Sequence, residues 1–120
     1  MSKKRAVITG MGSISCIGSN IEEISTSLRN GSSGISKNNE YNDLGFRSKI
    51  SGSISINLKD LIDRKLFRFM GEAAAYSYLS ALDAIKDSDL PESIFETDRI
   101  GVIAGSGEHP LEVKLMQQIF

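Results

Sequence analysis

Cysteine is nearly absent from these 120 residues: Cys16 is the only one. A single thiol forms no intramolecular disulfide and no cysteine metal cage, a pattern that fits a reducing cytoplasm. Histidine is as scarce, with His109 alone. No spacing of His, Cys, Asp or Glu matches a metal-ligand set or a complete catalytic triad, so neither a metal nor an organic cofactor is expected. Apolar runs are short. Ala6-Val7-Ile8, behind the basic start Met1-Ser2-Lys3-Lys4-Arg5, is too brief for a signal sequence. No stretch reaches the roughly 20 residues that span a bilayer, so no membrane partner is expected. A surplus of positive charge is missing too. Fourteen Lys and Arg stand against fifteen Asp and Glu, a net charge of −1, which argues against wholesale nucleic-acid binding. The chain has no internal repeat and no low-complexity linker, and its length suits one domain.

What is present is ordinary for a globular chain, with 40% hydrophobic and 24% charged residues. The stretch 63–85 stands out. It opens with the cluster Asp63-Arg64-Lys65-Leu66-Phe67-Arg68-Phe69-Met70 and continues through Gly71 into an Ala- and Leu-rich run. No proline interrupts it, so one long helix is the cheap local choice. Apolar residues fall on most of its sides, which predicts burial, and the alanines between Ala73 and Ala81 allow other backbones to come close.

Around that helix the pattern alternates. Residues 5–10 read as a short buried strand leading into Gly10-Met11-Gly12. Asn20 is a good helix N-cap with Glu23 as a capping-box partner, and Gly31 sits where a helix C-terminal glycine belongs. Residues 32–43 are polar and read as loop. Over 46–58 the period becomes two, the mark of a half-exposed strand or ribbon kinked near Gly52. The long helix should stop before Leu90-Pro91. Ile94 and Phe95 anchor a loop. Residues 99–104 form a second short buried strand, and Pro110 begins a last helix with Leu111, Leu115, Met116, Ile119 and Phe120 on its apolar side. Two apolar strands separated by helices predict an α/β fold with a parallel sheet covered on both faces. The last helix reaches Phe120 with no capping signal, as in a chain cut within an element.

The candidate chemistry is sparse. Gly10-Met11-Gly12-Ser13-Ile14-Ser15 supplies two glycines of G-x-G-x-x-G, but Ser15 holds the third position. No strand ends in an acidic residue about 20 positions on, where a ribose would be held. A tight strand exit is the simpler reading of the glycines. Cys16 lacks any visible base or helix N-terminus to activate it, so a small loop residue packed on the sheet is the simpler reading. His109 reads as a loop or cap residue, and Glu22-Glu23 as solvated helix positions. Arg64, Lys65 and Arg68 are more informative. Arg64 and Arg68 are four apart and share a helix face. The patch suits an acidic partner or a phosphate; a solvated face, or internal salt bridges with Glu72, explains it equally well.

Three blocks in order carry a resemblance. They are Arg5-Ala6-Val7-Ile8-Thr9-Gly10-Met11-Gly12, then Leu61-Ile62-Asp63-Arg64-Lys65 with Arg68-Phe69-Met70, then Arg99-Ile100-Gly101-Val102-Ile103-Ala104-Gly105-Ser106-Gly107. Gly31-Ser32-Ser33-Gly34-Ile35 supports them. The chain resembles the N-terminal portion of β-ketoacyl-acyl-carrier-protein synthases, the condensing enzymes of fatty-acid synthesis, and is most similar to the type I bacterial form. The resemblance implies a thiolase-like layered α-β-α-β-α fold, of which residues 1–120 are the first part of the N-terminal half, truncated at 120. It implies a cytoplasmic acyltransferase, a homodimer when full length, that performs decarboxylative Claisen condensation with malonyl-acyl-carrier-protein. The family's nucleophilic cysteine and two histidines would lie past Phe120. Neither Cys16 nor His109 matches them, so no catalytic residue is assigned to this chain. The resemblance assigns Arg64, Lys65 and Arg68 to the surface that receives the acidic acyl carrier protein. Glu108-His109-Pro110 departs from the small residues that follow the third block in relatives. Two other readings stay open: a non-catalytic partner chain of a condensing enzyme, and a dinucleotide-binding module.

Overall fold

The computed structural model describes residues 3–105 and Gly107. The chain runs α1 (Ile21–Asn30), β1 (Ile35–Lys37), α2 (Asn39–Asp43), β2 (Ile50–Gly52), α3 (Leu58–Leu61), α4 (Arg64–Phe67) and α5 (Glu72–Ser88), then a 3-10 turn at Glu92–Ile94. The class is mixed α/β, as the sequence indicates. The expected helix after Pro110, and His109 before it, lie outside the described residues.

Helix α1 begins and ends where its capping residues place it. The Asn20 side-chain oxygen accepts the Glu23 amide at 2.9 Å, which satisfies one of the free N–H groups of the first turn. The reciprocal half of the box moves by one residue. Glu23 Oε2 accepts the amide and the hydroxyl of Ser19, both at 2.8 Å, instead of the Asn20 amide. At the other end Gly31 takes a left-handed φ of 64°. The Ser32 amide then reaches the Ser27 carbonyl at 2.9 Å and the Gly31 amide the Leu28 carbonyl at 3.2 Å, the paired bonds of a Schellman turn.

The sheet differs from expectation. Among the described residues it is a two-stranded antiparallel ladder that pairs Ile35 with Gly52, Ser36 with Ser51 and Lys37 with Ile50. Residues 32–43, read as loop, therefore contain β1 and α2, and only three residues of the 46–58 ribbon are strand. Residues 5–10 and 99–104 form no ladder among the described residues and are not buried: Val7, Ile8 and Ile103 are 76%, 84% and 102% exposed. The physical reason is that β-branched residues favour extended backbone, while a strand exists only where a second backbone accepts its hydrogen bonds.

The glycine pair after residues 5–10 has a packing role. A Cβ at Gly10 would press on the Ala84 carbonyl and come 2.7 Å from the Ser88 nitrogen. One at Gly12 would press on the Ser80 carbonyl and come 2.7 Å from the Ala84 nitrogen. Ser80, Ala84 and Ser88 form one i, i+4 ridge of α5, and the bare backbone lies along it. The Met11 amide, between the glycines, donates to Asp87 Oδ2 at 2.9 Å. Helix α1 starts at Ile21, well after Gly12, so the glycines do not deliver a helix N-terminus to a pyrophosphate as a dinucleotide fold requires.

The expected single helix over 63–85 is two helices. Helix α4 closes with 3-10-type bonds, Phe69 amide to Leu66 carbonyl and Met70 amide to Phe67 carbonyl, both 3.1 Å. Gly71 is extended, at φ −77° and ψ 169°, and α5 starts after it. The break lets Leu66, Phe67 and Met70 fold back on the buried Leu58 and Ile62, burial that one straight rod could not achieve. Ala74 and Ala75 are 1% and 0% exposed. The rest of α5 is less buried than its composition implied, and Leu82 is exposed. The helix runs to Ser88, stops at Asp89 in a left-handed conformation, φ 51°, and Leu90-Pro91 follows. No helix among the described residues is long and apolar enough to cross a membrane.

Candidate functional site

Two short helices, each held by a side-chain cap, build the basic surface. In α3 the Asn57 side-chain oxygen accepts the Lys59 amide at 3.3 Å, while its side-chain nitrogen donates to Asp60 Oδ2 at 2.7 Å. Ile62 then runs extended and buried. In α4 the Asp63 carboxylate accepts the Lys65 amide at 2.8 Å and the Leu66 amide at 3.4 Å. This start turns Leu66 and Phe67 toward the core and leaves Arg64, Lys65 and Arg68 exposed.

Arg64 and Arg68 do share a face. Together with Lys59, Ile62 and Phe67 they line a cleft of about 380 Å³. Its floor is apolar, its remaining lining is cationic, and among the described residues no carboxylate lines it. Arg68 also lies over the Phe69 ring, 5.3 Å from the guanidinium carbon to the centroid, a cation–π contact that steadies the side chain. Lys65 is exposed on the same helix but does not line the cleft. The nearby acids are engaged locally, Asp63 with helix amides and Asp60 with Asn57. Among the described residues no ion pair joins Arg64, Lys65 or Arg68 to Glu72 or Asp63, so internal salt bridges do not account for the patch.

Sequence reasoning missed Lys59. It belongs to a different helix, five positions before Arg64, and only the turn through Ile62 and Asp63 brings it to the cleft. Its one signal was the short spacing between two capping residues, Asn57 and Asp63.

Among the described residues the cleft is lined by cations and apolar groups, a chemistry suited to an anionic partner. Cys16 is a free, half-buried thiol. Its sulfur would stand 2.7 Å from a Cβ at Gly34 and 2.9 Å from one at Gly52, so it packs on the hairpin, the simpler of its two readings. Among the described residues no group of His, Cys, Asp and Glu could hold a metal ion. Glu22 and Glu23 are both exposed, and Glu23 also serves α1. The Ser19 amide, then the Ser19 hydroxyl and Asn20, hold its carboxyl below the ordinary glutamate range.

Residues 3–118 match the family model described as Beta-ketoacyl synthase, N-terminal domain. A 3-oxoacyl-(acyl-carrier-protein) synthase 1 of Haemophilus influenzae is 49% identical over 104 residues, covering 87% of this chain and 26% of that relative. The synthase 1 of Escherichia coli is 49% identical over 105 residues with the same coverage. A 3-oxoacyl-(acyl-carrier-protein) synthase 2 of Staphylococcus aureus is 35% identical over 105 residues, 87% of this chain and 25% of that relative. The chain thus spans about a quarter of the length of the curated relatives it matches.

Proposed function

The chain belongs to the β-ketoacyl synthase family, and from that premise we propose that it is the opening part of a 3-oxoacyl-acyl-carrier-protein synthase and carries its carrier-docking surface. The reaction is the decarboxylative Claisen condensation of fatty-acid elongation. A cysteine thiolate attacks the acyl-carrier thioester and expels the carrier thiol. Malonyl-carrier thioester loses carbon dioxide, and the resulting carbanion attacks the acyl-enzyme carbonyl. The cysteine thiolate leaves, and the β-ketoacyl group stays on the carrier. Covalent capture followed by stabilisation of oxyanion charge is the physical basis of both steps. Cys16, folded onto a hairpin, takes no part in it.

The contribution of these residues is recognition. Arg64, Lys65 and Arg68 receive the acidic acyl carrier protein with its acyl or malonyl thioester. The observation that carries this reading is the set of exposed cations on α4 with no carboxylate paired to them, above an apolar cleft. Individually such contacts are weak, about 0–1 kcal/mol each, but a cluster steers encounter and fixes orientation. The full-length enzyme acts in the cytoplasm as a homodimer.

Calorimetric titration of the full-length synthase with the acyl carrier protein tests the docking role. Arg64→Glu combined with Lys65→Glu is expected to raise Kd about tenfold or more, and to flatten the weakening of Kd with added salt. An unchanged Kd and salt dependence would remove α4 from the docking surface.

A further inference from the structure

The cleft beside α4 draws its cations from two elements. Arg64 and Arg68 come from the α4 segment and Lys59 from α3. Lys59 is exposed, and its side chain has no acceptor among the described residues. Its neighbour Asp60 is turned to Asn57 and does not line the cleft. The half-buried Phe67 supplies apolar surface between the cations, over the buried Ile62. Three exposed cations from two helices, spread around an apolar floor, suit a row of carboxylates better than one small anion. A small anion is bound by converging donors, and no backbone amides converge here, because Asp63 already occupies those of α4.

We propose that Lys59 is a carrier-specificity residue: it extends the docking surface from α4 onto α3 and holds a carboxylate of the acidic carrier protein, an apolar side chain of which rests on the half-buried Phe67. The proposal builds on the docking role of α4 and adds a contact that the basic cluster at 64–68 does not contain. Lysine suits this position. Its flexible, compact charge follows a carboxylate over several geometries, whereas the planar guanidinium groups of Arg64 and Arg68 fix register. The occupant follows from charge complementarity, since among the described residues no acidic side chain lines the cleft.

The test uses the full-length synthase with two substrates, an acyl-carrier thioester and the matching acyl-pantetheine thioester. Lys59→Glu is expected to lower kcat/KM about three- to tenfold more for the carrier substrate than for pantetheine, through KM and not kcat. Lys59→Arg restores the ratio, and Lys59→Ala falls between and reduces the salt dependence of KM. Arg64→Glu with Lys65→Glu is measured in parallel. If that double variant shifts the ratio and Lys59→Glu does not, the α3 contact is wrong while docking on α4 stands. If neither shifts it, both fail. If Lys59→Glu lowers both substrates alike, Lys59 acts on the fold and the proposal is overturned.

Discussion

Single residues do distinct jobs in this chain, and each job is measurable. Gly12 has α5 backbone where a side chain would go. Gly12→Ala therefore forces the 10–12 segment off the ridge of Ser80 and Ala84. A loss of about 1–3 kcal/mol is expected, the usual range for overpacking, and read from the denaturation midpoint of the full-length protein. Glu23 gives a pH prediction. Its carboxyl is held below the ordinary glutamate range by the Ser19 amide first, then by the Ser19 hydroxyl and Asn20. A lowered folded pKa means the contribution to stability is complete above the ordinary glutamate value and is lost as pH falls through the lower folded value. In an NMR titration of the side-chain carboxyls, Glu23 should therefore titrate below the ordinary glutamate range, and Ser19→Ala should raise it only in part, because the Ser19 amide remains.

At the scale of elements, α4 carries the proposed docking surface. Four residues do not form a stable helix unaided, so the Asp63 cap and the anchors Leu66 and Phe67 hold it. Asp63→Ala should cost about 1 kcal/mol and speed hydrogen exchange at the Lys65 and Leu66 amides. Asp63→Asn keeps a side-chain acceptor and removes a negative charge beside three cations. It should leave that exchange slow and tighten carrier binding. Faster exchange in both variants would show that the carboxylate charge, not the cap geometry, holds the helix.

The same elements show what the sequence made legible. Signals confined to a few neighbouring residues were readable. Asn20 and Gly31 bound α1, Leu90-Pro91 follows the end of α5, and Arg64 and Arg68 share a face. Features that depend on distant backbone were not. The β1–β2 ladder joins residues 50–52, inside the ribbon that the alternation over 46–58 marked, to residues 35–37, which carry no local strand pattern strong enough to mark them. Residues 5–10 and 99–104 have strand composition without a ladder among the described residues. The break at Gly71 was hidden because helix propensity on both sides is high, while the gain from turning Phe67 and Met70 onto Leu58 and Ile62 is tertiary. Lys59 was missed for the same reason.

On the scale of the whole molecule, the balance of surface is unusual. Only Leu58, Ile62, Ala74 and Ala75 are buried apolar residues among those described, while Val7, Ile8, Ile100, Val102 and Ile103 are exposed. A core this small supplies little stability. Residues 1–120 expressed alone should melt broadly, bind a hydrophobic dye and show no synthase activity. A sharp, reversible melt would contradict this. On the proposed reading this segment receives the carrier, and residues other than Cys16 make the bonds.

The most direct measurement compares turnover of carrier-bound and pantetheine-bound substrates by the full-length synthase before and after Arg64→Glu with Lys65→Glu. A docking surface on α4 requires kcat/KM for the carrier-bound substrate to fall by about tenfold or more relative to the pantetheine thioester. Equal losses on the two substrates would mean that these cations serve the fold or the chemistry and do not receive the carrier.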